Sequence, residues 1–313
     1  MESKRAWNLV RLKGRHIKAF KPAWGENYKH KIGAAFLTAF LSWMGVCFLR
    51  TLPGYGFLEA KAYDLRMIDL ASREKPSGQV VLVMIDDASL KFFEDQDIFW
   101  PWPRSLYVPV LHYLKKGNAK AVVFDLTFSG EDPGMFLGAS DEFANAMRQT
   151  VPCTLPLKLR GKKFKKQSSS YSLRSTLDIR KTSHDIVYRG IELPIPVLAQ
   201  SAAALGNVIT LPDEDGIYRR IKPFYLYEED EKKEWIPTLA LSALAQVLDV
   251  KKIAWSDAGV EIDGRSLPTD PNGNVLLRYR ASTAPIILYD HYSIASLIQS
   301  YQQMEAGEAP QLS

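Results

Sequence analysis

Residues 79–126 read QVVLVMIDDASLKFFEDQDIFWPWPRSLYVPVLHYLKKGNAKAVVFDL and indicate the fold class of this 313-residue chain. The first and last eight residues of this stretch are nearly continuous apolar runs rich in Val, which is typical of strands buried on both faces of a parallel sheet. Between them, Ser105 is a suitable N-cap for a helix that ends near Lys116, before the turn Gly117-Asn118. A strand, a helix and a second strand in this order predict a right-handed βαβ unit. We therefore expect an α/β fold with a mostly parallel sheet flanked by helices.

The same patterns predict the remaining elements of the chain. Helices are expected at 141–149, 197–205, 235–250 and 293–301, and strands at 151–157, 207–211, 221–227 and 274–279. Residues 158–171 differ in composition, because they contain six Lys and Arg followed by three serines. This segment is interpreted either as an exposed, mobile insertion or as a surface for an anionic partner such as a lipid headgroup or a polysaccharide.

An uncharged apolar segment lies near the N-terminus. Residues 32–49, IGAAFLTAFLSWMGVCFL, contain no charged side chain. At about 1.5 Å per residue they reach roughly 27 Å, close to the ~30 Å hydrocarbon core of a bilayer. A buried core helix and a cleaved signal peptide are the alternatives, but the long cationic leader and the distance to a small-residue cleavage site disfavour both. We expect one uncleaved transmembrane helix at residues 32–50.

The basic charge is concentrated before this segment. Residues 1–31 contain nine Lys and Arg against two Glu, a local net charge of +7, whereas the other 282 residues contain 31 basic and 33 acidic side chains. The positive-inside rule then predicts that residues 1–31 lie in the cytoplasm and that the residues after the membrane segment lie outside. The part outside is expected to consist of a juxtamembrane amphipathic segment at 51–75, a domain at 76–304 and a polar tail at 305–313. Because the body of the chain is not basic, we expect no nucleic-acid partner.

Signatures of enzyme chemistry are scarce in this sequence. It contains no glycine-rich phosphate loop, HExxH, CxxC or GxSxG motif, and two cysteines provide no disulfide framework. The clearest cluster is acidic: Asp86 and Asp87 end the first predicted strand and Asp125 ends the second, at the sheet edge where α/β folds bind ligands. Three interpretations stay open, namely helix capping, binding of a ligand or a divalent cation, and metal-dependent hydrolysis of phosphate esters.

The segment Trp100-Pro101-Trp102-Pro103-Arg104 is a second unusual feature. Its two prolines fix the backbone and remove two hydrogen-bond donors, so we expect a rigid loop that leads into the helix. The two indoles either plug the structure or form a shelf for a ligand. Arg104 needs a carboxylate partner, and Asp86 or Asp125 is the nearest candidate in the predicted topology.

Several motifs, taken in order, resemble one known family. They are VLVMIDDASL, WPWPR, a helix ending in KKGNAKAVVFDLTF, DEDGIYRR at 213–220, the helix after IPTLAL, and DPNGNVLLRYR with DHYSIASLI. Together they resemble the CHASE domain, type two, over residues 60–302. The most specific parts of the resemblance are the tryptophan-proline string and the Asp-Gly-x-x-Arg-Arg turn.

The resemblance implies a sensory domain of a bacterial cyclase, histidine kinase or Ser/Thr kinase. This domain lies outside the inner (cytoplasmic) membrane, on the periplasmic or extracytoplasmic side, and is held there by an N-terminal anchor. Family members have further membrane helices and a cytoplasmic output domain after the sensory domain, so we expect residues 1–313 to lack the last sheet elements and the output. The resemblance implies no catalytic residue and no cofactor. Expected partners are the membrane, an unidentified small-molecule or protein ligand, and a second copy in a homodimer.

The candidate ligand-binding residues are those at matching motif positions and one tryptophan of the string: Asp86, Trp102, Arg104, Asp125, Asp215 and Arg219. The leading hypothesis is a membrane-anchored sensor module that relays ligand binding across the membrane. The alternative is an anchored metal-dependent phosphohydrolase that uses Asp86, Asp87 and Asp125, and a purely structural protein of the envelope is a third interpretation.

Overall fold

The computed structural model describes residues 28–52, 54–73, 75–130, 132, 136–162, 177–179, 187–229, 232–250, 253–256, 259–280 and 288–312. The chain divides into two units, Met1–Leu65 and Arg66–Ser313. Within the described ranges the helices are α1 (Tyr28–Thr51), α2 (Tyr55–Arg73), α3 (Asp87–Glu94), α4 (Tyr107–Lys116), α5 (Ala139–Gln149), α6 (Pro196–Ser201), α7 (Leu239–Val247) and α8 (Ile294–Glu305).

The strands are short and form several small sheets. They are β1 (Leu82–Met84), β2 (Val122–Val123), β3 (Cys153–Arg160), β4 (Leu177–Ile179), β5 (Val187–Tyr188), β6 (Gly190–Glu192), β7 (Ala204–Asn207), β8 (Arg220–Ile221), β9 (Phe224–Glu229), β10 (Lys232–Pro237), β11 (Ile253–Ser256), β12 (Gly259–Ile262), β13 (Arg265–Leu267), β14 (Val275–Leu276) and β15 (His291–Ser293). The mixture of helices and sheets confirms the α/β fold class.

Helix α1 has the length and composition of a membrane-crossing segment. Its part from His30 to Thr51 has a mean hydropathy of 2.0, and none of it is buried within the structure. The hydroxyl of Thr38 donates to the carbonyl oxygen of Ala34 at 2.8 Å, which satisfies a polar group inside the helix. Gly54, with φ of +91°, follows the end of α1, and glycine adopts this left-handed conformation without steric cost.

Helix α2 has two sets of apolar side chains, one at least half-buried and one exposed. Tyr63 and Met67 are half-buried and Ala71 is buried, at the i, i+4, i+8 spacing of one helix face. A second set of apolar side chains is exposed: Phe57, Leu58, Leu65 and Ile68. Leu58, Leu65 and Ile68 are separated by seven and three residues, which is the spacing of a coiled-coil seam.

The main core forms around β3, which is buried along most of its length. β2 and β7 pair with β3 in parallel and β6 pairs with it antiparallel, so this sheet is mostly parallel as expected. Helices α5 and α4 contribute Phe143 and Leu111, both fully buried, to the same core. Tyr107 and Phe143 pack with Phe124 and Phe128 at ring distances of 5.4–5.9 Å, mostly edge to face, which is the favoured geometry for aromatic pairs.

A smaller core lies under the antiparallel strands β11, β12 and β13. Trp255 is 1% exposed, and its ring lies 5.3 Å from that of Phe224 and 5.0 Å from that of Trp235. Leu241 of α7 and Val260 of β12 complete the contacts. The peripheral sheets thus contain hairpins, and parallel pairing is not a property of every sheet in this protein.

The predicted βαβ unit does not form a single sheet within the described residues, because β1 and β2 belong to different sheets. β1 pairs in parallel with β15, through Leu82 with His291 and Met84 with Ser293. The polar, acidic segment between β1 and the tryptophan-proline string also forms a helix, α3, that the apolar pattern does not predict. The apolar pattern identifies a buried strand but contains no information on which distant strand lies beside it, so β15, some 200 residues away, was not predicted.

Two predicted helices begin or end at the wrong residue. The segment 197–205 is α6 only as far as Ser201, and Ala204 begins β7. Small residues are typical of helices, but here Gly206 lets the strand lie close to α7, because a Cβ at this position would be 2.4 Å from Cα of Leu239. The segment 235–250 begins as β10, and α7 starts only after Thr238, whose hydroxyl caps Leu241 N at 3.3 Å.

The predicted basic insertion is only partly described. Lys158 and Arg160 belong to β3, and Arg160 pairs with Glu192 of β6, so these two residues are part of the sheet and not of an insertion. Residues 163–171 lie outside the described part of the chain.

Candidate ligand-binding site

Asp86 follows β1 and is hydrogen-bonded both to the first turn of α3 and to the residue that precedes α8. As the N-cap of α3, its Oδ1 accepts hydrogen bonds from the backbone N of Ser89 at 2.9 Å and from its hydroxyl at 2.5 Å. The hydroxyl of Ser293, which precedes α8, donates to the same oxygen at 3.0 Å. Burial alone would raise the pKa of Asp86, but the hydrogen bonds from Ser89 and Ser293 outweigh it, and the pKa lies below its usual value.

The tryptophan-proline string packs into the main core. Trp102 is 5% exposed, and its ring lies 4.7 Å from Phe93 of α3 and 5.3 Å from Trp100, in both cases edge to face. The peptide bond between Trp100 and Pro101 is cis. This packing matches the plug interpretation for Trp102, whereas Trp100 is 47% exposed.

Arg104 is buried and held by the loop that follows β2. Its Nη1 donates to the hydroxyl of Ser140 at 2.6 Å and lies 3.5 Å from Oδ1 of Asp132, while Nη2 donates to the carbonyl oxygen of Gly130. The guanidinium also lies over the ring of Phe128, 5.8 Å from its centre.

The expected pairing of Arg104 with Asp86 or Asp125 is therefore wrong. Arg104 opens a short 3₁₀ turn before α4, and from there its side chain reaches the loop near Asp132. Asp86 is occupied by serine hydroxyls, and Asp125 is exposed. The contacts of Arg104 in this region hold a loop in place.

The turn at residues 213–220 is organised around a buried arginine. Arg219 is 2% exposed and donates two parallel hydrogen bonds to Asp215, at 2.8 and 2.7 Å, and a third to Asp213 at 3.2 Å. Gly216, with φ of +80°, allows the reversal between them, and its N donates to the carbonyl oxygen of Asp213 at 2.9 Å. Such bidentate, charge-assisted pairs fix geometry as well as energy.

Arg220 connects this turn to a second turn near residue 270. Its Nε lies 3.2 Å from Oδ1 of Asp213, and its Nη1 lies 3.4 Å from Oδ2 of Asp270. Burial would raise the pKa of Asp270, but hydrogen bonds from Asn274 and the backbone of Asn272 outweigh it, so the pKa lies below its usual value. Two motifs some fifty residues apart thus meet at one place in the fold, where β8 and β14 also pair.

A cavity of about 190 Å³ lies beside the turn at residues 213–220. Its lining combines aromatic, apolar, polar and charged side chains: Tyr188, Thr210, Leu211, Pro212, Asp213, Arg220, Lys222, Phe224, Tyr225, Leu226 and Asn274. The rings of Tyr188 and Tyr225 lie 5.8 Å apart, and burial raises the pKa of both phenols, so both stay neutral at physiological pH.

A metal centre is not supported in the described part of the chain. Among these residues no three His, Cys, Asp or Glu side chains lie where they could hold one ion. Because Asp86 is bound by hydroxyl and amide donors and Asp125 is exposed, these findings do not favour the phosphohydrolase alternative.

The residues at the cavity were predicted only in part. Asp215 and Arg219 were candidates and hold the turn beside the cavity, whereas Asp213, Arg220 and Lys222 line it and were missed. The sequence DEDGIYRR contained a signal for Asp213 and Arg220. Two arginines that follow two aspartates by four to seven residues can form ion pairs within one turn. Lys222 had no distinguishing pattern.

An α/β body with a small mixed-polarity cavity, preceded by a helix of membrane-crossing length, has the parts of an extracytoplasmic receptor module. The family model of the CHASE2 domain matches residues 38–310, and the chain therefore belongs to this family. CHASE2 domains are extracytoplasmic sensory domains of signalling proteins and are not catalytic, so the resemblance carried by the motifs is confirmed. No curated protein and no solved structure was found to match the chain.

Proposed function

We propose that this chain is the membrane-anchored sensor module of a bacterial signalling protein. Residues 1–31 lie in the cytoplasm, α1 crosses the inner membrane within residues 32–50, and the domain at 76–304 lies outside. There it binds a small molecule or a protein and relays the event to a cyclase or kinase output domain. The observation that carries the proposal is the exposed apolar α1, preceded by a strongly cationic leader and joined to a CHASE2 domain.

Ligand binding is assigned to the region of the turn at residues 213–220. Arg219 and Asp215 fix this turn, and the cavity lies beside it. The other candidates, Asp86, Trp102, Arg104 and Asp125, stay predictions as ligand contacts. The first three of these make structural contacts within the fold.

A phosphatase fusion tests the topology. Alkaline phosphatase is active only after export, because its disulfides form in the oxidising periplasm. Fused after Ser313 it is expected to be active. A fusion after Lys29, which ends before the apolar segment at residues 32–49, is the inactive control. A Ser313 fusion that is membrane-bound but inactive would overturn the proposed orientation.

A phosphate-release assay tests the enzymatic alternative. The full chain, incubated with generic phosphomonoesters and Mg²⁺ or Mn²⁺, is expected to release no phosphate. Turnover that is abolished in Asp86→Asn would replace the sensor function with hydrolysis.

A further inference from the structure

Two strands of the main core have the sequence of central strands but the pairing of edge strands. Residues 80–85 (VVLVMI) and 121–124 (AVVF) are continuous apolar runs, which is typical of strands with a neighbour on each side in a parallel sheet. Within the described part of the chain, β1 pairs with β15 alone and β2 pairs with β3 alone. Each of the two strands therefore has one edge to which no described strand is bonded.

The hydrogen bonds show which backbone groups point to these two edges. Leu82 N donates to the carbonyl oxygen of Asp290 at 2.8 Å, and successive residues of a strand alternate between its edges, so the backbone groups of Val83 point away from β15. In β2, Phe124 N donates to a carbonyl oxygen of β3 at 3.0 Å, so the backbone groups of Val123 point away from β3. Such edges present N–H and C=O groups that another extended backbone can bond.

The helices place these two edges opposite each other. α4 connects β1 to β2, and both strands and this helix contribute to one core cluster, through Val83, Ile85, Leu111, Val122 and Phe124. α8, which follows β15, packs alongside α4: Nζ of Lys116 lies 2.7 Å from Oε1 of Glu305, and the rings of His112 and Tyr301 lie 5.9 Å apart. With α4 and α8 side by side, the edge of β1 opposite β15 faces the edge of β2 opposite β3.

The side chains at these edges are apolar and exposed. Val80, Val81 and Val123 are 54%, 48% and 45% exposed. Strand edges that face water in native proteins usually contain charged residues or proline, which prevent pairing with another strand. Residues 80–85 and 121–124 contain neither. Their composition is that of a surface that is covered in the working protein.

We propose that one further strand lies between β1 and β2, parallel to both, and that it is an apolar segment from another part of the same signalling protein. Its backbone bonds alternately to Val83 and Val123, and its side chains cover Val81 and Val123. Only an extended segment without proline can bond to both edges. Because a covalently connected segment has a high effective concentration, it fills such a position more readily than a separate partner does.

This proposal rests on the sensor-module function proposed above and names the contact through which the rest of the signalling protein joins the domain. A strand at this position adds to the sheet and lies under α4 and α8. A movement of the sheet is then transmitted directly to the segment that supplies the strand.

Hydrogen exchange of the full chain in detergent micelles tests the added strand. The probe is the peptide acetyl-Lys-Lys-Val-Ile-Val-Ile-Val-Lys-Lys-amide, an extended apolar segment that its lysines keep soluble. In the chain alone, the amides of Val83 and Val123 are expected to exchange rapidly, because they face the unbonded edges. Saturating peptide is expected to slow exchange at both positions by at least about tenfold.

Two N-methylated peptides distinguish insertion between the strands from addition to one edge. Methyl groups on the first, third and fifth apolar residues block one edge of the peptide, and methyl groups on the second and fourth block the other edge. A strand that bonds to both β1 and β2 needs both edges, so each methylated peptide is expected to bind at least about tenfold more weakly than the parent peptide.

A variant of the chain tests the same contact from the other side. Val123→Lys places a charge where the added strand would cover the side chain, and it is expected to weaken peptide binding by about fivefold. Leu137→Lys, at a position that is 90% exposed, is the matched control and is expected to bind as the unsubstituted chain does. Melting temperatures show whether both variants fold; if Val123→Lys does not, the comparison of the three peptides decides.

Three results would overturn the proposal. They are an unchanged exchange rate at Val83 and Val123 with saturating peptide, full binding of either methylated peptide, and protection of both amides that rises with the concentration of the chain alone. The last result would show that a second copy covers the edges. All three are independent of the phosphatase fusions, so a chain with the proposed topology that takes up no strand would leave the sensory function standing.

Discussion

Arg219 is a charged side chain whose burial is compensated entirely by its neighbours. It is 2% exposed, and its guanidinium faces the carboxylates of Asp213 and Asp215, which are themselves about four-fifths buried. Desolvation of such groups is costly, and only complete pairing offsets the cost. The ion pairs of Arg219 therefore fix the turn geometry while contributing little net stability. Their removal is nevertheless costly, because the remaining buried charge loses its partner.

Replacing Arg219 is expected to destabilise the body strongly. Arg219→Gln removes the bidentate partner of the mostly buried Asp215 and leaves Asp213 paired with Arg220 alone, which costs about 3 kcal/mol. For a domain of this size, that loss lowers the melting temperature by roughly 6–12 °C. Arg265→Gln, at an exposed position of β13, is the control and is expected to cost less than about 0.5 kcal/mol. Equal melting temperatures for the two variants would show that the pairing does not hold the turn.

The hydrogen bonds to Asp86 predict a pH dependence of stability. Because the pKa of this carboxyl is lower in the folded chain than its ordinary value of 3.8, its charged form stabilises the fold above that value. The contribution is lost as the pH falls through the lowered pKa. Asp86→Asn keeps a good N-cap but removes the charge, so it is expected to be less stable than the unsubstituted chain at neutral pH.

Urea unfolding of both chains across the pH range measures this effect. The stability difference is expected to begin to shrink as the pH falls below about 4, where the carboxyl of the unfolded chain takes up a proton, and to disappear only below the lowered pKa of the folded chain. A difference that stays constant from neutral pH to about pH 3 would contradict the assignment of the charged hydrogen bonds to Asp86.

At the level of elements, the contact between β7 and α7 depends on the missing side chain of Gly206. A Cβ at this position would lie 2.4 Å from Cα and 2.7 Å from N of Leu239, both backbone atoms that cannot move separately from the helix. Gly206→Ala must push α7 away from the sheet, and such overpacking costs about 1–3 kcal/mol.

Thermal unfolding with a matched alanine variant checks this expectation. Gly56→Ala in α2 has no atom within 4 Å of the added Cβ and replaces glycine inside a helix, so it is expected to leave stability unchanged or slightly higher. If Gly206→Ala melts at the same temperature as Gly56→Ala, β7 and α7 do not approach as closely as described.

The exposed side chains of Leu58, Leu65 and Ile68, here called the exposed stripe of α2, predict where two copies of the chain would touch in a homodimer. Leu65 lies on the stripe with Leu58 and Ile68, while Arg66 lies one residue further, about 100° around the helix. In a Cys47→Ser background, Leu65→Cys is expected to form disulfide-linked dimers in membranes on mild oxidation, and Arg66→Cys to form far fewer.

The remaining cysteine does not interfere with this experiment. Cys153 is 1% exposed, and burial raises the pKa of its thiol to about 12, so almost no reactive thiolate exists at neutral pH. Equal cross-linking of Leu65→Cys and Arg66→Cys would contradict a specific seam along the stripe.

At the level of the whole molecule, short-range patterns were readable from the sequence and long-range partners were not. The Val-rich runs identified β1 and the strand at Val122, and the motifs in their order identified the family, because each depends on residues close together in the chain. The pairing of β1 with β15 and the approach of Asp270 to Arg220 depend on how distant segments fold together. No local pattern encodes either.

The candidate site shows the same division. Asp215 and Arg219 stand four residues apart and were found, since their pairing needs only one turn. Arg104 was recognised as needing a carboxylate, but its partner Asp132 was missed because the path of the loop after β2 is set by packing around Phe128 and not by a local motif. Lys222 was missed because it lines a cavity that exists only in the folded chain.

The side of the membrane on which the body lies is measured most directly by cysteine labelling in intact spheroplasts with a membrane-impermeant maleimide. In a Cys47→Ser background, Leu137→Cys places a thiol at a position that is 90% exposed on the body, and Ser3→Cys places one in the cationic leader. The proposed topology predicts that Leu137→Cys is labelled in intact spheroplasts and that Ser3→Cys is labelled only after lysis. Labelling of Ser3→Cys but not Leu137→Cys before lysis, or recovery of the full chain in the soluble fraction, would contradict an anchored extracytoplasmic sensor.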